Sequence, residues 1–190
     1  MAQAKTLTET ELRRVLDYVA TRKHAVRNRA LVLVTHLAGM RVGEVASLRY
    51  EDVVDCDKKI RNEIRLDAEQ TKGRHSRTVF VSERLRKELT QYVKYYPCID
   101  PTHKLFYTQK RRREGFTANT LTQHFLSLYK NVGIEGASSH SGRRTYATTM
   151  ASKGVGVRVL MRALGHRNIS TTMQYVDASD DMIRRAVELI

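Results

Sequence analysis

Apolar residues recur at helical spacing along almost the whole of this chain, and one stretch breaks that period: EIRLDAEQTKGRHSRTVFVS, residues 63–82. Two β-branched runs there flank a polar turn containing Gly73, the pattern of a β-hairpin. A single hairpin among helices restricts the fold to a mainly α domain carrying a small antiparallel β-sheet, an α+β arrangement. Ahead of the hairpin, LTETELRRVLDYVA (7–20) opens with Thr8 and Glu11 in a capping box. It then sets Leu12, Val15, Leu16 and Val19 on one helical face. Residues 26–40 predict a more buried helix, and 43–53 a short helix with its connection. Behind the hairpin, 82–96 is helical from a Ser cap to Pro97, and 104–116 predicts a short strand running into a basic loop. Helices are expected over roughly 117–131, 139–153 and 155–164, then a short one through Tyr175 and an apolar-faced segment from about 179. With two prolines and no repeat or low-complexity tract, residues 1–190 are expected to form a single domain.

Charge narrows the partner. Lys and Arg number 34 against 20 Asp and Glu, a formal net charge of +14. A folded domain this basic is drawn to polyanions, which makes nucleic acid the leading partner over a merely soluble basic protein. Cys56 and Cys98 match no metal-ligand or redox spacing and read as reduced thiols. No apolar run has the length of a membrane span and the N-terminus lacks the core of a signal peptide. The expectation is a cytoplasmic protein without membrane contact.

The chemistry turns on LGHRNISTTMQYVDAS, where Tyr175 follows His166 by nine residues. A phenol with an ordinary pKa near 10 attacks nothing at neutral pH without an electropositive pocket or a neighbouring base. A phosphodiester is a target only once its charge is neutralised, which the planar arginine fork does best. Arg41 sits directly after an apolar helix and a glycine. His140 and Arg143 are spaced for one face of a helix's first turn, where free N–H groups favour anions. Lys72 lies at the tip of the expected hairpin. No HExxH or Cys/His spacing suggests a metal.

These segments, in this order, resemble the tyrosine recombinase (phage integrase) family, catalytic domain. Gly39, Arg41, Glu44, Leu48, Asp52 and Val53 follow its first box; Lys72 and Gly73 with Arg77 and Val79 follow its hairpin lysine motif. His140, Arg143 and Thr145–Tyr146–Ala147 follow the second box. Leu164–Gly165–His166, Ser170–Thr171–Thr172 and Tyr175 follow the nucleophile box. The resemblance implies that Arg41 and Arg143 clamp the scissile phosphate, that His140 and His166 hydrogen-bond it, and that His140 is a candidate base. It makes Lys72 the general acid for the leaving 5′-oxygen, Tyr175 the nucleophile forming a 3′-phosphotyrosyl link, and Glu44 a support for the cationic cluster. Arg74, Arg144 and the KRRR run Lys110, Arg111, Arg112 and Arg113 are expected DNA contacts.

The activity implied is site-specific DNA recombination through a Holliday junction, independent of metal, ATP and cofactors. It would be encoded by a bacterium, phage or mobile element. The implied partners are double-stranded DNA, three further copies in a tetramer on two sites, and accessory DNA-bending proteins; free of DNA, the chain is expected as a monomer or weak oligomer. The segment 177–190 is expected to dock on a neighbouring subunit. Relatives usually carry an N-terminal clamp domain, which this sequence lacks, so it reads as an excised domain or a short recombinase. Type IB topoisomerase-like relaxation and a non-catalytic DNA-binding regulator are the alternatives. Two departures stand out: Arg144, where the family often has histidine, and Gly142, at an apolar position, which is expected to loosen packing beneath the site.

Overall fold

The computed structural model describes residues 3–98, 100–108 and 115–176, together with 183–184 and 187–188. Helix α1 (Glu9–Ala20) starts where the sequence says it should. The Thr8 hydroxyl accepts from the Glu11 N–H at 3.1 Å, and the Glu11 carboxylate accepts from the Thr8 N–H at 2.9 Å. Leu12, Val15, Leu16 and Val19 are its buried residues, as the spacing predicts. Helix α2 (Ala25–Leu37) is buried without interruption from Ala30 to Thr35, which fits its central place: α1 and two later helices, Glu83–Tyr95 and Ser141–Ser152, all pack on it. A buried helix with neighbours on several sides has no polar face to keep, hence the run ALVLVT.

The region expected as one helix over 43–53 is two, α3 (Val42–Ser47) and α4 (Tyr50–Val53), separated by extended backbone at Leu48 and Arg49. The hairpin forms as β1 (Glu63–Leu66) and β2 (Arg77–Phe80), antiparallel and two-stranded, with Ile64 opposite Val79 and Leu66 opposite Arg77. A 3-10 turn at Ala68–Gln70 leads into the tip carrying Lys72. Helix α5 (Glu83–Tyr95) is capped by Ser82, whose hydroxyl accepts from the Leu85 N–H.

The strand expected in 104–116 is a correction. Lys104 makes one isolated bridge with Arg49, and Leu105 donates to the Leu48 carbonyl. The chain then turns in to bury Leu105 and Phe106 without extending a ladder. The β-branched alternation that sustains a strand is missing there. The basic loop with Lys110, Arg111, Arg112 and Arg113 lies outside the described residues.

Helices α6 (Ala118–Asn131), α7 (Ser141–Ser152), α8 (Val157–Leu164) and α9 (Ile169–Met173) complete the described fold. One large core runs beneath α1 to α6 and the hairpin. A small second cluster, Ala147, Ala151, Leu160 and Leu164, lies between α7 and α8, and Tyr175 packs against it. The expected C-terminal helix from about 179 falls mostly outside the described residues, so its docking is not seen. No described helix is long and apolar enough to cross a membrane.

Candidate active site

The site is assembled around one buried carboxylate. Glu44 on α3 is 1% exposed and each of its oxygens accepts two hydrogen bonds. Oε2 takes the Arg41 N–H and Arg77 Nη2, both at 2.7 Å; Oε1 takes Arg41 Nη1 and Arg77 Nε, both at 3.0 Å. Burial pushes the carboxyl up. The Arg77 fork, the Arg41 N–H and the nearby charge of Arg143 outweigh it and hold Glu44 below the usual carboxylate range. An ionised, saturated Glu44 has no lone pair left for a ligand, so its task is to fix the two arginines.

Arg41 is placed by the turn that ends α2. Gly39 adopts a left-handed φ of +59°, and a Cβ there would overlap the Tyr146 ring of α7. That turn aims the Gly39 carbonyl at Arg143, whose Nη1 donates to it at 2.6 Å. Arg143 Nη2 donates to the Leu164 carbonyl at 2.6 Å and to His166 Nε2 at 3.0 Å. Burial first, then Arg41 and Arg77, pulls the Arg143 guanidinium down to about 9 against the pull of Glu44, which leaves it cationic at neutral pH. Its Nε–H and second Nη1–H are not used in these bonds and are the donors available to a phosphate.

The partners of His166 fix its tautomer. Arginine only donates, so Nε2 is the acceptor, and the ring proton sits on Nδ1 and goes to Thr172 Oγ1 at 3.0 Å. Thr172 is fully buried on α9. Burial, followed by the charges of Arg143, Arg41 and Arg77, lowers His166 to about 4. His140 stands just before α7 without a side-chain capping bond; burial and the charges of Arg143, Arg41 and Lys72 lower it too, so this histidine shares a field with all three cations. Tyr175 is half-buried, its ring 6.2 Å from that of His166 and nearly parallel to it. Arg144, expected on DNA, lies with its guanidinium 5.6 Å from the Tyr175 ring centre.

Lys72 stands exposed on the hairpin tip, on the rim of a groove of about 1850 Å³. The groove is also lined by Arg41, Arg77, His166 and Arg167. Arg74 is exposed beside it in a left-handed turn conformation. Across the groove mouth Arg167 Nη1 donates to His75 Nε2 at 2.9 Å, tying the hairpin tip to the loop after α8. Arg41, Glu44, Lys72, His140, Arg143, His166 and Tyr175, spread over 135 residues of sequence, thus meet in one place. Sequence reasoning gave no role to Arg77 or to Thr172. Arg77 carried a signal: it shares a strand face with Val79, which points inward.

Depressed histidines give the free protein a pH signature. His166 and His36 are both held near 4, His36 by burial and then Arg84. The unfolded chain takes up these protons near the ordinary value of about 6.5. Their contribution is therefore complete above that pH and declines as pH falls towards about 4. Melting temperature should drop across this window, and His36→Phe should make the drop shallower. A flat profile, or one unchanged by that substitution, would contradict it.

Comparison with known proteins gives a consistent picture. The model of the phage integrase family matches residues 5–182. The tyrosine recombinase XerA of Thermococcus kodakarensis is 31% identical over 186 residues, covering 97% of this chain and 62% of that protein. Among solved structures, a crystal structure of XerA recombinase superposes with a TM-score of 0.76 at 28% identity, covering 100% of this chain and 66% of the other. The Tn1549 transposon integrase in complex with transposon right end DNA has the same TM-score at 19% identity, covering 100% and 67%, a likeness of fold. The chain spans from 50% to 62% of the length of the curated relatives with which it shares 30–31% identity.

Proposed function

Because the chain belongs to the phage integrase family, we propose that it cuts and rejoins double-stranded DNA by way of a covalent phosphotyrosine and so performs site-specific recombination. The observation that carries this reading is a run of contacts ending at the tyrosine: Glu44 holds Arg41, Arg143 donates to His166, and the His166 ring lies beside that of Tyr175. A scissile phosphate held by the free donors of Arg41 and Arg143 presents phosphorus to the Tyr175 oxygen. The P–O bond to Tyr175 forms as the P–O5′ bond breaks. The phenol proton passes to His140, and Lys72 delivers a proton to the departing 5′-oxygen. One phosphodiester is exchanged for another, so the step is reversible and needs no ATP.

His166 begins as an acceptor from Arg143. When phosphate takes over the Arg143 donors, its negative charge favours uptake of a proton from solvent at Nε2, which then donates to a phosphate oxygen while Nδ1–H keeps its bond to Thr172 Oγ1. Arg144, Arg74 and the loop Lys110–Arg113 are proposed to contact the DNA backbone. Exchange between two duplexes requires paired cleavages, so a tetramer on two sites is the proposed assembly.

The test uses duplexes with randomised arms and a nick placed just 3′ of the scissile bond, so that the short 5′-hydroxyl fragment is lost and the covalent complex accumulates. Protein-linked DNA should be recovered, attached through a 3′-phosphate and enriched in one sequence. Yield should be unchanged in excess EDTA, since arginines and Lys72 take the charge-stabilising and leaving-group roles a metal would have. Absence of adduct, or adduct that needs an added divalent ion, would refute the mechanism.

A further inference from the structure

The leaving-group acid poses a placement problem. Lys72 rides on an exposed hairpin tip, yet its ammonium must reach one oxygen of a phosphate held by groups on α3 and α7. Proton transfer requires hydrogen-bond reach, so the hairpin must be registered to the clamp. Besides the exposed Arg167–His75 bond at its tip, the hairpin is tied on each side of Lys72 by a less exposed side chain. Before it, Gln70 donates to Asp52 Oδ2 at 2.8 Å, an anchor at α4. After it comes Arg77, whose side chain is 7% exposed.

Arg77 is the stronger tie because of what it joins. Its Nε and Nη2 grip both oxygens of Glu44, the same carboxylate that fixes Arg41. Its Nη1 donates to the Ala163 carbonyl at 2.9 Å, near the end of α8. Gly165 gives room for the stem: a Cβ there would stand 2.5 Å from Arg77 Cδ. One side chain of β2 therefore links the hairpin of Lys72, the α3 turn of Arg41 and the segment leading to His166. A guanidinium can make these three bonds in three directions at once, whereas an ammonium lacks the planar fork.

We propose that Arg77 is a positioning residue that registers the Lys72 hairpin to the phosphate clamp, so that its loss appears chiefly as a loss of leaving-group protonation. The proposal rests on the strand-cleavage reading above.

The experiment uses the full chain and the duplex enriched from the randomised pool, in two versions: an ordinary scissile phosphate, and one whose bridging 5′-oxygen is replaced by sulfur. A thiolate departs without a proton, because a thiol's pKa near 8.5 lies far below that of an alcohol. On the oxygen substrate Lys72→Ala and Arg77→Met should each slow cleavage by about 100-fold or more. On the sulfur substrate both should return to within about tenfold of wild type, the pattern that follows when the missing element is the acid. Arg77→Lys keeps the charge beside Glu44 and so guards against a variant that does not fold. It should show a smaller oxygen-specific defect with the same recovery. If Lys72→Ala recovers on sulfur and both Arg77 variants stay slow, Arg77 serves the clamp or the fold at large and the proposal is overturned. If Lys72→Ala itself does not recover, the general-acid role falls and takes the proposal with it. If wild type cleaves neither substrate, the strand-cleavage reading has failed.

Discussion

Tyr175→Phe should lose all covalent attachment to DNA while folding and binding as the wild type does. The substitution removes one oxygen and nothing else. Its ring rests on the small cluster of Ala147, Ala151, Leu160 and Leu164, and phenylalanine would keep that packing. Among the described residues the hydroxyl makes no hydrogen bond, so its removal leaves no partner unsatisfied. The Arg144 guanidinium keeps an aromatic face beneath it, since the attraction comes from the ring. Melting temperature should therefore stay within about a degree, because a neutral surface-type change alters stability by only a few tenths of a kcal/mol. Retention of the duplex in a binding assay should match the wild type. Denaturing gels of the nicked duplex should show wild-type adduct and none for the variant. Adduct that persists in Tyr175→Phe would assign the nucleophile elsewhere.

How far the sequence discloses this arrangement depends on the range of the interaction. Local signals carried through: the Thr8–Glu11 box, the Ser82 cap and the inward phase of Ile64, Leu66 and Val79 all depend on neighbours a few residues away. Motif spacing brought Arg41, Lys72, His140, Arg143, His166 and Tyr175 to notice, but spacing carries no distances. It could not say that Arg143 is occupied by two carbonyls and a histidine, or that Thr172 selects the His166 tautomer. Arg77 lay within a recognised motif, but its purpose appears only when β2 meets α3 and α8. The 104–116 segment failed for the opposite reason. Its apolar residues looked like half a strand, and tertiary packing of Leu105 and Phe106 decided against a ladder.

Gly142 is the clearest reversal, and it carries the second large effect. Read alone, a glycine at an apolar position in a helix leaves a gap. In the fold it is a point of close approach between α7 and α2: a Cβ on Gly142 would overlap Thr35 Oγ1, lie 2.9 Å from Thr35 Cβ and 3.2 Å from its carbonyl carbon. Thr35 cannot yield. It is β-branched, fully buried, and its hydroxyl donates to the Val32 carbonyl. Two terms compete in Gly142→Ala. Helix propensity favours alanine by up to about 1 kcal/mol, and less in a first turn. Overpacking a close-packed interior costs about 1–3 kcal/mol, and here the backbone of α2 stands in the way, so the upper end applies. Net destabilisation of about 2 kcal/mol is expected, a fall of roughly 4–8 °C at this chain length. Activity should suffer more than stability. The residue after Gly142 is Arg143, and a displacement of α7 shifts its guanidinium from the Gly39 and Leu164 carbonyls. Misplacement by about 1 Å costs on the order of 100-fold in rate. The diagnostic is coupling. Thr35→Ala removes the overlapping oxygen, so Gly142→Ala should cost at least about 1 kcal/mol less in that background than in the wild type. Equal costs in the two backgrounds would mean that the overlap with the Thr35 hydroxyl is not what makes the substitution costly.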